Sequence, residues 1–170
     1  MNKQMHMAIK DSFIGELKYE STLTRTILER VPVDRIDWRP HEKSTTLGRL
    51  ATHIAETHRW ITTILNADEF DFAAAPFKAH VASSQEELIN ILDTHVQAAL
   101  DSLSKATDED FNKTWTIKRG GQIIAAPVKK VAIRGWGFSH TYHHRGQLSV
   151  YLRLLNIPVP GMYGPSADER

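Results

Sequence analysis

The stretch that decides the fold lies near the end of this 170-residue chain and reads Gly137-Phe138-Ser139-His140-Thr141-Tyr142-His143-His144-Arg145-Gly146-Gln147-Leu148-Ser149-Val150-Tyr151-Leu152-Arg153. Its apolar residues recur at helical spacing and no proline interrupts it, which predicts the second half of a long helix. On that helix His140 and His144 share one face, with about 5–6 Å between their Cβ atoms. Two imidazoles at this spacing can bind one metal ion, and a third ligand has to come from elsewhere.

The histidine pair by itself is weak evidence for a metal site. Nine histidines occur in the chain, and random placement would give roughly 0.5 such pairs, which is the false-positive risk of any short motif. The residues around the pair are more specific. The run His-x-x-x-His-Arg-Gly-Gln-Leu-x-x-Tyr-Leu-Arg, from His140 to Arg153, resembles the last helix of the DinB/YfiT-like family of metal-dependent proteins. The resemblance extends from the Trp38 region to the tail that begins at Ile157.

This resemblance implies both a metal site and a cofactor. In the family a histidine early in the second helix completes a three-histidine site, and His53 stands at that position. The implied cofactor is one divalent metal ion held by His53, His140 and His144. Three imidazoles suit zinc, nickel or iron alike, so the sequence does not select the metal. The alternative is that the three histidines are polar residues hydrogen-bonded inside a helical core.

Apolar periodicity predicts four helices and therefore an all-α fold. They are expected over residues 3–30, from Thr45 or Thr46 to Leu65, from Ser83 or Ser84 to Leu103, and from Pro127 to Leu155. The connection of about 17 residues between helices two and three can span some 30 Å at about 3.3 Å per residue, so these helices can run parallel. The resemblance implies the same four-helix bundle, ordered up-down-down-up. Gly120-Gly121 between two β-prone runs predicts a small hairpin before helix four.

Composition limits the class of protein. A net charge of +1 and the even mix of positive and negative residues give no support for nucleic-acid binding. No long apolar run is present, so no membrane span or signal peptide is expected and a cytoplasmic location is predicted. The chain has no cysteine, so thiol chemistry would need an external thiol. The length predicts a single domain over residues 1–170, with an extended C-terminal tail over residues 156–170.

Five further residues are candidates for a pocket around the metal. Glu56 follows His53 by one helical turn and is a candidate fourth ligand, ligand partner or base, although a surface glutamate is the default. Trp60 shares the face of His53, and His95 interrupts an apolar stripe, where a satisfied core histidine is the alternative. Gln147 and Tyr151 follow His144 on its face; core packing for the tyrosine and a buried hydrogen bond for the glutamine are the alternatives.

Two more residues of the last helix, and one histidine of the second helix, are given other interpretations. Trp136, four residues before His140, is either a wall of the pocket or an aromatic filler of the core. Arg145 is expected to pair with a carboxylate on another helix. His58 is five residues from His53 and is therefore expected to lie off its face.

The resemblance says more about the site than about the reaction. It suggests thiol-dependent transfer or isomerisation with a low-molecular-weight thiol, because relatives include such S-transferases and maleylpyruvate isomerase. Metal-dependent hydrolysis by an activated water is nearly as well supported. The chain lacks the His-Glu-x-x-His, Gly-rich phosphate-loop and Gly-x-Ser-x-Gly motifs. The alternative is a non-catalytic metal-binding stress-response protein, and a homodimer is expected from family habit in either case.

Overall fold

The computed structural model describes residues 8–74 and 79–169, over which the chain is mostly helical. The helices are α1 (Ile9–Leu28), α2 (Leu47–Glu56), α3 (Arg59–Asn66), α4 (Gln85–Lys105), α5 (Asp108–Asn112), α6 (Lys129–Ala132) and α7 (His140–Leu154). A π-helical segment, Ile133–Ser139, joins α6 to α7, and short 3₁₀ turns lie at Val33–Arg35 and Ala167–Glu169. The part of helix one predicted before residue 8 lies outside the described residues.

The helices α1 and α4 lie side by side in opposite directions. Near the start of α1, the Lys10 ammonium donates to the carbonyl of Ser104, at the end of α4. At the other end of the pair, the Gln85 side chain donates to the carbonyl of Leu28. The Ser84 hydroxyl caps α4 by accepting from the Glu87 amide, as the sequence predicted. The two helices therefore form a long antiparallel pair.

The second predicted helix is broken into two. Thr46 caps α2, as predicted, by accepting a hydrogen bond from the Arg49 amide. The helix then ends at Glu56, and α3 begins only at Arg59. At the break, the Thr57 hydroxyl donates to the Ile54 carbonyl at 2.8 Å, a local bond that competes with regular helical pairing. Because of this break, the residues of α3 do not continue the regular helical spacing of α2, to which His53 belongs.

The hairpin predicted before the last helix is present, and it belongs to a larger sheet. Strands β2 (Thr116–Arg119) and β3 (Gln122–Ala125) pair antiparallel across Gly120 and Gly121, whose φ angles of 60° and 78° favour glycine. Strand β1 (Glu69–Asp71) pairs parallel with β2, which the sequence did not predict. Asp71 fixes the hairpin by accepting the amides of both glycines. The sheet order is β1-β2-β3.

The last long helix begins later than predicted and contains the π segment. Helix α6 begins at Lys129, two positions after Pro127. At the end of the π segment the His140 amide donates to the carbonyl of Gly135, five residues back. Both glycines of this segment were candidates for close packing, but only Gly137 needs it. A Cβ on Gly137 would lie 2.7 Å from Ile61 Cγ1, whereas one on Gly135 would meet nothing within 4 Å.

The core consists of two apolar clusters, and the histidines lie where one gives way to the other. On α2, His53 lies between Ala51 and Ile54 of one cluster, and the other cluster begins on α3 with Trp60. On the last helix, His140 and His144 lie between Phe138 of the first cluster and Leu148 of the second. Helices α2 and α7 run in opposite directions, since the Tyr151 hydroxyl reaches the Thr45 carbonyl before α2, whereas His53, later on α2, meets His140 at the start of α7. Among the described residues, no helix combines the length and the apolar character that spanning a membrane requires.

Candidate metal centre

Three histidines from two distant segments meet between α2 and α7. One ligand nitrogen from each of His53, His140 and His144 can be chosen so that all three lie within 4.8 Å of one another. The Nε2 atoms of His53 and His140 are 3.2 Å apart. The rings of His53 and His144 lie edge to face with centroids 4.6 Å apart. The structure therefore brings together the three residues that the sequence singled out.

The spacing of these nitrogens fits a metal ion. Two nitrogens that each lie about 2.0–2.1 Å from one ion are roughly 3 Å apart at usual bond angles. The 3.2 Å separation of the His53 and His140 nitrogens meets this requirement. A set of three imidazoles suits zinc, nickel or ferrous iron and is a poor match for calcium or magnesium, which prefer oxygen ligands.

The protein keeps these imidazoles neutral, as metal ligands have to be. Burial, followed by the neighbouring His144 and His140 rings, lowers the pKa of His53 from 6.5 to about 3. Burial is also the largest cause for His140, whose pKa falls to about 4. The pKa of His144 is lowered by burial, against a raising effect of its hydrogen bond to Gln147. At neutral pH all three rings are therefore neutral, each with one ring nitrogen free to bind a metal.

Gln147 fixes the orientation of one ligand. Its Oε1 atom lies 2.7 Å from Nδ1 of His144, and an amide oxygen can only accept. Nδ1 of His144 therefore carries the proton, and Nε2 is left with a free lone pair. Gln147 is exposed, so the predicted alternative of a buried hydrogen bond is half right: the bond exists, but at the surface. A partner that holds the second ring nitrogen is typical of metal-binding histidines.

The second nitrogen of His140 is less well placed. Its Nδ1 atom is buried and has no hydrogen-bond partner within residues 8–74 and 79–169. The carbonyl of Trp136 is close enough to raise the pKa of His140 slightly, but it does not reach ordinary hydrogen-bond geometry. A contact of this kind does not satisfy a buried ring nitrogen.

Glu56 does not join the ligand group. Its carboxylate accepts from Arg49 at 2.6 Å, and both side chains are largely buried. The same Arg49 nitrogen lies 3.5 Å from Nδ1 of His53. Arg49 was missed by the sequence analysis, although its position four residues before His53 on one helical face was a usable signal. The pair places an ionic contact directly behind His53.

The other predicted pocket residues divide between core and surroundings. Tyr151 is a core residue: it is buried, packs edge-on against Trp38, and donates to the Thr45 carbonyl at 3.1 Å. His95 is half-buried on α4 and lies outside the three-histidine group; burial is the largest cause of its lowered pKa. Trp60 is buried in the core and packs against Trp136, with 5.3 Å between ring centroids.

Trp136 borders the histidine cluster on its open side. Its ring centroid lies 6.5 Å from that of His140, at 86° between the planes. Together with Gly135, Ser139, His140 and His143 it lines an open surface cavity of about 420 Å³. The cavity shows that a small molecule has room beside one of the three histidines.

Fold and site define a class: a mostly helical protein with a three-histidine cluster of the kind that binds a divalent metal. The family model that matches is that of the DinB family, over residues 1–170. The chain belongs to the DinB family, as the resemblance in its last helix predicted.

Two relatives come from Bacillus subtilis. The uncharacterized protein YrdA is 25% identical over 162 residues, covering 94% of this chain and 90% of the relative. The uncharacterized protein YjoA is 20% identical over 149 residues, covering 86% and 91%. A crystal structure of a DinB-like protein from Bacillus cereus matches with a TM-score of 0.70 at 23% identity, covering 94% of this chain and all of that one. The structure of YjoA matches with a TM-score of 0.65 at 17% identity, covering 86% and 96%. These likenesses concern the fold.

Proposed function

We propose that this protein is a metal-dependent enzyme in which His53, His140 and His144 hold one divalent ion. The observation that carries the proposal is the convergence of three ligand nitrogens within 4.8 Å of one another. Zinc, nickel and iron remain the proposed ions, because three neutral imidazoles suit each of them.

The proposed scaffold is a single domain over residues 1–170, a four-helix bundle ordered up-down-down-up with residues 156–170 as a C-terminal tail. Its long members would be α1, the α2–α3 pair, α4 and the α6–α7 helix. Two sets of contacts support the order. The ends of α1 and α4 meet in opposite directions, whereas Arg134 and Arg145, in that order along the last helix, reach Glu16 and Glu20 of α1. The last helix and α1 would therefore run parallel.

Three protein ligands leave open positions on the ion, which is the feature of catalytic rather than structural sites. When bound, a divalent ion would supply a positive charge that lowers the pKa of a coordinated water or thiol toward neutral pH. The protein itself holds the three ligands in place. Gln147 fixes the ring of His144, and burial keeps that ring neutral by lowering its pKa. The proposed reactions are transfer or isomerisation with an external low-molecular-weight thiol, or hydrolysis by water.

A non-catalytic role is the alternative, with the protein acting as a metal-binding homodimer. One observation favours the dimer: Val150 and Leu154, one turn apart on α7, are each 56% exposed. The dimer and a cytoplasmic location stay predictions. Light scattering after size-exclusion chromatography would measure the first, and a monomer at high concentration would contradict it.

The test is turnover by metal-loaded protein. The protein, loaded in turn with zinc, nickel and ferrous iron, is incubated with low-molecular-weight thiols plus alkyl halides or unsaturated keto acids, and separately with esters. We expect turnover with one ion that is lost in His144→Ala and retained in His41→Ala, which changes an exposed histidine outside the cluster. Full metal binding without turnover across this panel would favour the non-catalytic alternative.

A further inference from the structure

The open cavity beside the histidine cluster is formed by one continuous stretch of the last helix. Its lining residues come from the π segment and the first turn of α7; they are Gly135, Trp136, Ser139, His140 and His143. Its volume of about 420 Å³ lies in the usual range of small-molecule sites. Helical segments with π pairing recur at functional sites. The sequence analysis considered single residues of this stretch and did not predict the cavity.

Gly135 provides open space in the cavity, and packing does not explain why a glycine stands there. A glycine inside a helix costs about 1 kcal/mol relative to alanine. Its neighbour Gly137 has a structural reason, because a Cβ there would lie 2.7 Å from Ile61 Cγ1. A Cβ on Gly135 would meet nothing within 4 Å, and the φ angle of Gly135 is not positive. What the missing side chain does provide is room beside Trp136.

Ser139 carries a hydroxyl that the described part of the protein does not use. Another hydroxyl of the same helix, that of Thr141, donates to the carbonyl four residues back, that of Gly137. The corresponding carbonyl for Ser139 is that of Gly135, which already accepts the His140 amide through the π pairing. Within residues 8–74 and 79–169 the exposed Ser139 hydroxyl has no hydrogen-bond partner. It is therefore available to donate to a molecule in the cavity.

Trp136 gives the cavity a flat wall that is held in place by the core. Its indole packs against Trp60 and Phe72, with 5.3 and 6.0 Å between ring centroids, and stays half-buried. The surface that the core leaves uncovered lines the cavity. Because these neighbours already fix the indole, a ligand does not have to order it on binding. Such a surface favours a flat apolar partner.

The lining of the cavity carries no opposite charge for an ionic ligand. Among the residues that the structure describes, no lysine, arginine, aspartate or glutamate lines it. The charged residue next to Gly135 in the chain, Arg134, is directed to α1, where it pairs with Glu16. A charged molecule would lose hydration in the cavity without gaining an ion pair. The lining therefore favours a neutral ligand.

We infer that this cavity binds a small neutral carbonyl compound with an aromatic or conjugated body. The flat body would lie against Trp136 in the space left by Gly135, and the carbonyl oxygen would accept a hydrogen bond from the Ser139 hydroxyl. His140 also lines the cavity, so the bound molecule lies beside the three-histidine cluster. An electrophile of this class fits transfer to an external thiol. The substrate class rests on that proposed function, but binding in the cavity does not require the metal.

Titration of the full-length, metal-free protein with acetophenone, followed by nuclear magnetic resonance, tests the inference. The indole N–H signal of Trp136, assigned by its loss in Trp136→Phe, reports on the wall of the cavity. We expect this signal to shift until the site is saturated. Benzoate, which has a similar shape but carries a charge, and acetone, which lacks the ring, should both bind more weakly than acetophenone.

Two variants test the two contacts. Gly135→Leu should weaken acetophenone binding about tenfold or more, because its side chain takes the space in which the ring buries apolar surface. Ser139→Ala should weaken it about threefold to tenfold, the usual effect of losing one hydrogen bond. Gly146→Leu is the matched control and should leave the affinity unchanged. A Cβ on Gly146 also meets nothing within 4 Å, and this residue does not line the cavity.

The inference would be overturned if the Trp136 signal does not shift, or if benzoate or acetone binds as tightly as acetophenone. Wild-type affinity in Gly135→Leu or in Ser139→Ala would also overturn it. The remaining signals of each spectrum show whether a variant is folded, which separates lost binding from lost folding. The outcome is also distinct from the fate of the proposed function. A protein that binds zinc at the histidines but does not bind acetophenone keeps its proposed function and loses this substrate class.

Discussion

The two faces of α7 use similar polar residues but are completed differently. On one face Arg145 is buried and donates to the Glu20 carboxylate and carbonyl, to Thr24 and to Tyr163. Every buried polar group of that network has a partner inside the protein. On another face of α7, Nε2 of His140 lies 3.2 Å from Nε2 of His53, and Nδ1 of His140 has no partner within the described residues. The first face is satisfied within the protein, whereas the second leaves its histidine nitrogens for the metal ion that we propose.

The largest expected effect comes from removing Arg145 from its network on the first face of α7. Arg145→Leu leaves the Glu20 carboxylate buried without its partner, which costs about 3–5 kcal/mol for buried ion pairs. We expect the free energy of unfolding in urea to fall by that amount in the metal-free protein. The matched control is Arg25→Leu, which removes an exposed pair with Asp93 and should cost under about 1 kcal/mol. Equal losses in the two variants would show that the Arg145 network is not the support we describe.

A smaller loss is expected at the base of both faces, where the π segment touches α3. Gly137→Ala places a Cβ 2.7 Å from Ile61 Cγ1, and such overpacking costs about 1–3 kcal/mol. Gly135→Ala in the same segment meets nothing within 4 Å and should be neutral or stabilising by up to about 1 kcal/mol. Thermal unfolding of the two variants measures the difference. If both lose stability equally, the close approach of Ile61 does not constrain the segment.

His58 should make the stability of the fold sensitive to acid. It is fully buried, and its ring nitrogens have no hydrogen-bond partner among the described residues, although the Gly137 carbonyl acts weakly on it. Burial, then the charge of Arg145, lowers the pKa of His58 from 6.5 to about 4. Between these values the unfolded chain binds more protons than the folded one, so stability is lost as the pH falls.

The size of this effect follows from the pKa difference. Between pH 7 and pH 5 the wild type should lose about 2 kcal/mol more than His58→Phe, at up to about 1.4 kcal/mol per pH unit. Urea unfolding of metal-free protein at both pH values checks it. Because the pH profiles are compared rather than the absolute stabilities, a packing defect in the variant does not affect the result. Parallel profiles would contradict the assignment.

The smallest expected effect is on zinc affinity, at the face of α7 that carries His140 and His144. Gln147→Leu removes the acceptor that holds Nδ1 of His144, and losing such a partner typically weakens metal binding about tenfold or more. Competition with a chromophoric chelator measures the zinc affinity. Ser149→Ala is the control, because the Ser149 hydroxyl donates to the Gly146 carbonyl of the same helix and lies outside the histidine cluster. An unchanged affinity in Gln147→Leu would mean that the ring of His144 is held by packing alone.

The features that the sequence predicted are those with local causes. Thr46 and Ser84 were predicted as helix caps because a side-chain oxygen before an apolar stripe has a short-range effect. The Gly120-Gly121 turn was predicted for the same reason, since positive φ angles select glycine. Helical spacing also placed His140 and His144 on one face, and the partner of Arg145 was correctly expected to be a carboxylate.

The features that were missed depend on contacts between distant residues. Strand β1 has three residues, too few to show an alternating pattern, and is stabilised by pairing with β2 from Thr116 onward. The break after Glu56 follows from side-chain bonds of Thr57, and the π segment has no periodicity that a sequence displays. His53 could be assigned only through the family resemblance, because nothing near it in the chain predicts that it meets His140.

The most direct test of the metal site is elemental analysis of purified protein, wild type beside His53→Ala, after incubation with zinc and exhaustive dialysis. If the three histidines form one site, the wild type retains about one ion per chain and the variant retains almost none. Equal metal content in the two proteins, or a wild type that retains no metal, would contradict the account.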